Sequence, residues 1–164
     1  MSNTEYLSAT MTVDQPPEEV FAAITNVRGW WCENIIGDTV AERDEFVFHD
    51  DFTHAGEVAE GKPGIRFARF QLAEVTFGER MVWHVVDSCL TFVDDADEWT
   101  GTDVIFDLTA DARGTTLHFT HRGLSAARSE CFEACSNGWT FYITTSLPRL
   151  IRTGTGQPIP SYRR

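Results

Sequence analysis

Residues 131–154 read CFEACSNGWTFYITTSLPRLIRTG, and how this stretch is read decides the fold. At helical spacing one stripe carries Cys135, Trp139, Tyr142 and Ile143. Ser125 or Ser129 is available to cap the start, and Gly154 to end the helix. About two dozen residues at roughly 1.5 Å rise make a rod of some ~35 Å, the longest element of the chain. So broad an aromatic stripe has two readings, a face packed on a sheet or one wall of a cavity.

The segments upstream supply the sheet. TTLHFTHRGL (115–124) alternates, with Leu117, Phe119 and His121 on one face. The turn ARG joins it to TGTDVIFDLTAD (100–111), where Val104, Phe106 and Leu108 face in and Asp103 and Asp107 face out. ERMVWHVVD (79–87) pairs across Gly78 with the long strand IRFARFQLAEVTF (65–77). Trp83 and His84 point to opposite faces, and Trp83 is assigned inward. In the long strand Phe67, Arg69, Gln71, Ala73 and Val75 share a face, read here as the inner one; a slip of one residue would turn Arg66, Ala68 and Phe70 inward instead. EFVFHD (45–50) is a further strand and HAGEVAEG a weak edge strand, while SCLTFVDDADEW holds an acidic, solvated loop tip.

At the start, LSATMTVD alternates with Leu7, Ala9, Met11 and Val13 on one face. QPPEEVFAAITN follows as a short helix, with prolines near its first turn and Glu18 and Glu19 where the macrodipole favours anions. Its inner stripe is Val20, Phe21 and Ile24, and VRGWWCENIIG is a second short helical or irregular piece closed by Gly37. One strand, two short helices, a run of antiparallel strands and one long helix make an α+β pattern, with the helices segregated to one side of the sheet. TGTGQPIPSYRR is read as an extended or loose tail. The expected organisation is one domain over residues 1–164, with a core of about 5–154 and a tail over 155–164.

Composition narrows the partners. The 164 residues are 42% hydrophobic and 23% charged, values of a soluble globular protein. The formal net charge is -12 and Lys62 is the single lysine, which disfavours nucleic acid and acidic membrane surfaces. Apolar, neutral or cationic small molecules remain open. Cys32, Cys89, Cys131 and Cys135 form no Cys-x-x-Cys pair, and a chain of this length needs no disulfide framework. MSNTEYLSATMTVD lacks the cationic start and apolar run of a signal peptide, and no stretch reaches the roughly 20 apolar residues of a membrane span, so the cytoplasm is the expected compartment.

The opening ATMTVDQPPEEVFAAITN…WW resembles the start of START-like (SRPBCC, helix-grip) domains. The ending WTGTDVIFDL…RGTTLHFTHRGL…CSNGWTFYITTSLPRLIRTGTGQP is similar to the branch named after the activator of the heat-shock protein 90 ATPase. The likeness spans residues 5 to 158; single motifs are soft, and their order and spacing carry it. It implies a curved antiparallel sheet wrapped around a long C-terminal helix with a cavity between them. It also implies binding of lipids, hormones or polyketides, with ring closure catalysed in some members. The extra N-terminal domain of the eukaryotic chaperone activator has no counterpart here.

In such an arrangement the sheet would present Phe48, Phe67, Trp83, Val85, Trp99, Val104, Phe106 and Phe119, and the helix Cys135, Trp139, Tyr142 and Ile143, with Trp30 and Trp31 closing one end. Apolar pockets with a few polar groups are the usual small-molecule sites. The polar candidates are His121, which could donate, accept or shuttle a proton, Arg69, whose planar fork suits a carboxylate or phenolate, and the Tyr142 hydroxyl. Each also has a structural reading, as a hydrogen-bonded histidine, a surface salt bridge and a core tyrosine. HDDFTH (49–54) gathers His49, Asp50, Asp51 and His54 but reads as a solvated loop rather than a metal site. Cys131 and Cys135 share a helix face and read as small core residues. No Gly-x-Ser-x-Gly elbow or phosphate-binding glycine loop is present.

The first functional expectation is therefore a ligand-binding domain without cofactor or metal, holding a hydrophobic small molecule between helix and sheet. The second is a cyclase or aromatase-type enzyme acting on a polyketide-like substrate, with His121 and Tyr142 as acid and base. The third is a module that contacts a chaperone or regulator, its acidic surface steering a basic protein partner. Neither the ligand nor the oligomeric state can be read from the residues.

Overall fold

The computed structural model describes residues 6–50, 65–90, 94–127, 129 and 131–160, with side chains except at 49, 50, 65 and 66. In chain order they form β1 (Tyr6–Val13), α1 (Pro17–Thr25), α2 (Val27–Trp30), β2 (Ile35–Gly37), β3 (Glu45–Asp50), β4 (Ile65–Thr76), β5 (Arg80–Leu90), β6 (Asp103–Asp111) and β7 (Gly114–Ser125). The C-terminal helix follows as α3 (Phe132–Phe141), a π-helical turn (Tyr142–Ser146) and α4 (Leu147–Thr153). The strands make one curved antiparallel sheet in the order β1-β7-β6-β5-β4-β3-β2, and the long helix runs along β1, with α4 meeting α1 and α2. This is the α+β helix-grip arrangement.

Alternation places the inner face as expected on most strands. Leu7, Met11 and Val13 of β1, Trp83 and Val85 of β5, Val104 and Phe106 of β6, and Leu117, Phe119 and His121 of β7 are buried. The long strand β4 is the correction. Ala68, Phe70 and Leu72 are buried, whereas Phe67 is only partly covered and Arg69 is exposed. Phe67 and Phe70 are three apart and cannot share a face of a regular strand. Burying Phe70 keeps the Arg69 guanidinium and the Gln71 amide in water, and an unpaired buried charge is among the costliest things a core can hold. Register shifts against β5 at Arg69/Phe70 and Leu72/Glu74 blur the alternation further.

One element differs from the expectation near the chain's aromatic pair. Ile35–Gly37 is a short edge strand paired with β3 rather than part of an irregular piece. Arg28 pins it, its Nη2 donating to the carbonyls of Ile35 and Gly37 at 2.9 Å each. The expected edge strand HAGEVAEG lies outside the described residues.

The long helix is not α-helical throughout. Pro148 has no amide hydrogen for the Thr144 carbonyl, and its ring would crowd that carbonyl in a regular turn. The helix widens just before it, where the Leu147 amide donates to the Tyr142 carbonyl, five residues back. Gly154 ends the helix in the left-handed region at φ 87°. The start is capped neither by Ser125 nor by a side chain of the N-cap Cys131; Glu98 Oε1 accepts from the Cys131 amide at 2.9 Å from across the fold.

The π-helical turn also sets Ser146 facing inward. Its hydroxyl donates to the Trp30 carbonyl at 2.7 Å and accepts from the Gln157 amide at 2.8 Å. Ser146→Ala is expected to lower unfolding stability by about 1–3 kcal/mol in urea denaturation, because two backbone groups lose their partner at a buried site. A loss below ~0.5 kcal/mol would mean that water replaces the hydroxyl.

One exposed turn is strained. Arg43 sits at φ 79° between β2 and β3, its amide donating to the Leu72 carbonyl at 2.8 Å. A side chain in this region costs about 1–2 kcal/mol that glycine avoids, offset in part by glycine's larger entropy when unfolded. Arg43→Gly is expected to raise stability by roughly 0.5 kcal/mol, read as a small increase in the urea midpoint; a decrease would contradict the strain argument.

Candidate functional site

The inner faces of sheet and helix meet in one aromatic cluster. All five tryptophans belong to it. Trp83 on β5 and Phe106 on β6 stand 4.8 Å apart between ring centres, and Phe106 and Phe119 stand 5.3 Å apart. From the helix, Trp139 reaches Phe119 at 4.7 Å and Trp99 at 6.1 Å. From the α2 segment, Trp30 lies 6.2 Å from Trp83 and 6.0 Å from Phe106. Phe46 and Phe70, neither of them expected in the site, continue the cluster toward the β3 edge, with ring centres 4.9 Å apart.

Trp31 has the most telling position. Its ring stacks on Phe48 of β3 at 4.2 Å, with planes 3° apart, and meets Trp139 of α3 at 4.8 Å. Phe70 and Trp83 close its sides, each at 5.7 Å. The indole thus fills a slot with sheet on one side and helix on the other. Ala68, across from Phe48 on β4, is small and leaves the stack uncrowded.

These rings occupy the space where the sequence led us to expect a cavity. Trp30, Trp83, Phe70, Phe106, Phe119 and His121 have 0% accessible surface, so none of them borders a space that could hold a water molecule. Residual access elsewhere in the cluster is small, with Trp99 at 2%, Trp31 and Trp139 at 3% and Cys135 at 7%. Phe67 and Arg69 are on the other face of β4, so the Arg69 guanidinium is not placed to fix an anionic guest.

Four indoles are tethered by their N–H groups. Trp30 donates to the Ile24 carbonyl at 3.1 Å, Trp83 to Met81 Sδ at 3.2 Å, Trp99 to Cys135 Sγ at 3.4 Å and Trp139 to His121 Nδ1 at 3.1 Å. Among the described residues Trp31 makes no such bond; its ring is held by stacking alone.

His121 is fully committed. An indole N–H can only donate, so Nδ1 accepts and the proton sits on Nε2. Nε2 donates to Thr102 Oγ1 at 2.9 Å, and that hydroxyl donates to the Trp99 carbonyl at 2.6 Å. Burial pushes the imidazole down to about 3, against a weaker pull upward from Asp103. The ring is neutral near pH 7, with no free lone pair and no uncommitted proton. It is a brace between β7 and the helix rather than an acid–base group, and the structure does not bring it together with Tyr142 as a pair. Tyr142 is half-buried at the start of the π-helical turn, its ring edge-on to Phe141 at 5.0 Å.

The remaining candidates are readily placed. The hydrogen bond it shares with Cys135, together with burial, pushes the Cys131 thiol well above its ordinary range, so it is no nucleophile. His84 faces outward, bound to Asp103 at 2.8 Å, and Arg122 binds the same carboxylate at 2.7 Å. Burial works to raise the Asp103 pKa, but these two partners hold it below the ordinary value. Asp51 and His54 of HDDFTH, and the side chains of His49 and Asp50, lie outside the described residues. Among the described residues no group of three or more His, Cys, Asp or Glu is placed to hold a metal ion, and no helix is long and apolar enough to cross a membrane.

With this geometry in hand, comparison with known proteins gives a fold and no more. No protein-family model matches the sequence, and no curated protein matches it. Among solved structures, the solution structure of the Aha1 dimer from Colwellia psychrerythraea superposes with a TM-score of 0.69 at 17% identity, over 93% of this chain and 99% of that one. A Rhizobium loti protein gives 0.65 at 16% identity, over 86% and 93%. DynU16, from the dynemicin biosynthetic locus, gives 0.62 at 18% identity; 94% of this chain is covered but only 49% of that one. The chain has a START-like, Aha1-like fold.

Proposed function

We propose that the protein binds a neutral, flat, hydrophobic small molecule between the C-terminal helix and the sheet, in the slot that the Trp31 indole fills when no guest is present. One observation carries this reading. Trp31 is sandwiched between a sheet ring and a helix ring, yet among the described residues it has no N–H tether of the kind that each of the other four tryptophans has. It is the member of the cluster that leaves with the fewest bonds broken.

The chemistry of the guest follows from the walls. Phe48, Phe70, Trp83 and Trp139 offer ring faces and edges, and among the described residues the rings that meet Trp31 are all uncharged. A guest that matched Trp31 ring for ring would gain nothing net, since it would bury about what the indole exposes. The guest is therefore larger than an indole. A ~10 μM affinity, about -7 kcal/mol, calls for roughly 270 Å² of further apolar burial at ~25 cal/mol per Å², which describes a polycyclic aromatic molecule.

The test is a titration with neutral aromatics of increasing size, from indole through N-phenyl-1-naphthylamine to tetracyclic hydrocarbons, followed by tryptophan quenching and native mass spectrometry. One-to-one binding that strengthens with ring number is expected. No saturable complex with any member of the series, up to its solubility, would reject the reading.

A second reading is favoured by the tightness of the interior. A fold of this type whose described inner residues are almost fully covered would serve as a surface that contacts another protein, the net charge of -12 steering a basic partner. Complex formation that weakens with salt, together with failure of the aromatic series, would select it.

A further inference from the structure

The segment after the long helix was expected to be extended or loose, and residues 155–160 are docked on the backbone that carries the aromatic pair. Gly154 turns the chain back. The Gln157 amide donates to Ser146 Oγ at 2.8 Å, and that hydroxyl holds the Trp30 carbonyl. The Ile159 amide donates to the Trp31 carbonyl at 2.8 Å, and the Ile159 carbonyl accepts from the Glu33 amide at 2.8 Å, a short parallel bridge centred on Cys32. Asn34 Nδ2 donates to the Pro160 carbonyl at 3.1 Å. At Gly156 the fit is so close that a Cβ would stand 2.5 Å from the Gly29 carbonyl oxygen and 3.0 Å from that of Ser146.

We infer that residues 155–160 are a strap that keeps the Trp31 indole in the slot, and that its release opens the slot to a guest; this rests on the reading of the slot as a ligand site. The ring of Trp31 has no hydrogen bond among the described residues, so what fixes it there beyond stacking is its backbone. There the Trp31 amide is held within α2, by Val27 at 2.9 Å, while its carbonyl is held by the strap. The strap itself is thin. Thr155, Gln157 and Pro160 are exposed, and Gly156, Pro158 and Ile159 are only partly covered. A few hydrogen bonds of a partly covered segment open at lower cost than the aromatic cluster beneath them. The strap is thus placed to set the open fraction of the slot without disturbing the core. The apparent Kd of a guest is its intrinsic Kd divided by that fraction.

The experiment uses the full chain and N-phenyl-1-naphthylamine, a neutral probe that brightens in apolar surroundings. Ile159→Pro deletes the amide that holds the Trp31 carbonyl, at a position already flanked by Pro158 and Pro160. Gly156→Val forces the strap away from Gly29 by an independent contact. Both variants are expected to lower the apparent Kd about tenfold, through faster association at an unchanged dissociation rate, with circular dichroism like that of the parent. Trp31→Ala, whose slot is open whatever the strap does, separates the two claims. If it binds the probe while Ile159→Pro and Gly156→Val stay within twofold of the parent, the strap inference is overturned and the slot stands. If Trp31→Ala takes up no probe, the slot reading fails and the strap falls with it.

Discussion

Trp31→Ala is expected to lose about 3–5 kcal/mol of unfolding stability, and to recover a good part of it in the presence of indole. The loss follows from position. The ring stacks on Phe48 at 4.2 Å and meets Trp139 at 4.8 Å, so its removal leaves two facing rings without partners and an indole-sized void between them. The walls are held from elsewhere, Trp139 by His121 and Phe48 by strand pairing with β2 and β4, so they do not collapse into the gap. A void that persists is a binding site for the piece that was cut out. At 100 times its Kd, indole would restore ~2.7 kcal/mol. The measurement is the urea midpoint of the variant with and without saturating indole. Loss of stability without rescue would mean that the walls close, and Trp31 would then be ordinary core.

The second large effect belongs to His121 and to acid. Its folded pKa lies near 3 and its unfolded value near 6.5. The unfolded chain therefore takes up a proton that the folded chain refuses as the pH falls below about 6.5. Its contribution is fully present above that value and is lost progressively toward pH 3. The slope reaches about 1.4 kcal/mol per pH unit between the two pKa values. Carboxylates titrate in the lower part of the same range, so the informative quantity is a difference. His121→Gln removes the titration, and stability measured from pH 6.5 to 4 is expected to fall less steeply than in the parent by about that slope. Equal slopes would mean that the imidazole is protonated in the fold, which would break the bond from Trp139 and reopen an acid–base role.

Much of the architecture was legible because alternation and helical spacing report burial directly. β1, β5, β6 and β7 present the side chains that their alternation assigns inward, and Val20, Phe21 and Ile24 form the buried stripe of α1. The errors have local causes. In β4 the reading was anchored on Phe67, although Arg69 and Gln71 beside Phe70 and Leu72 already argued for the opposite phase. Ile35–Gly37 is too short for alternation to register. The π-helical turn was signalled by Pro148, six residues before Gly154, inside what otherwise reads as one helix. The strap carried no signal, since a single isoleucine between two prolines has no periodicity and its partners lie more than a hundred residues away.

The site was half legible. That Phe48, Trp83, Phe106, Phe119 and Trp139 converge was readable from their faces, and Trp30 and Trp31 were added by the family resemblance. Whether converging rings leave a gap or fill one another depends on ring orientations a few ångströms apart, and these no spacing rule contains. Tethering was equally hidden. Cys135 and His121 receive an indole N–H only once the sheet has closed over the helix, whereas Ile24 and Met81 receive theirs from Trp30 and Trp83 close by in the chain, through side-chain orientations that no spacing rule contains.

The central claim is that one ring, Trp31, is the occupant a guest displaces, and 5-fluorotryptophan labelling tests it most directly. The five fluorine resonances would be assigned by single Trp→Phe replacements and recorded with and without saturating polycyclic ligand. On ligand binding the Trp31 resonance is expected to gain a solvent isotope shift while those of Trp30 and Trp83 keep their buried values. A bound state in which Trp31 remains shielded from solvent would contradict the account.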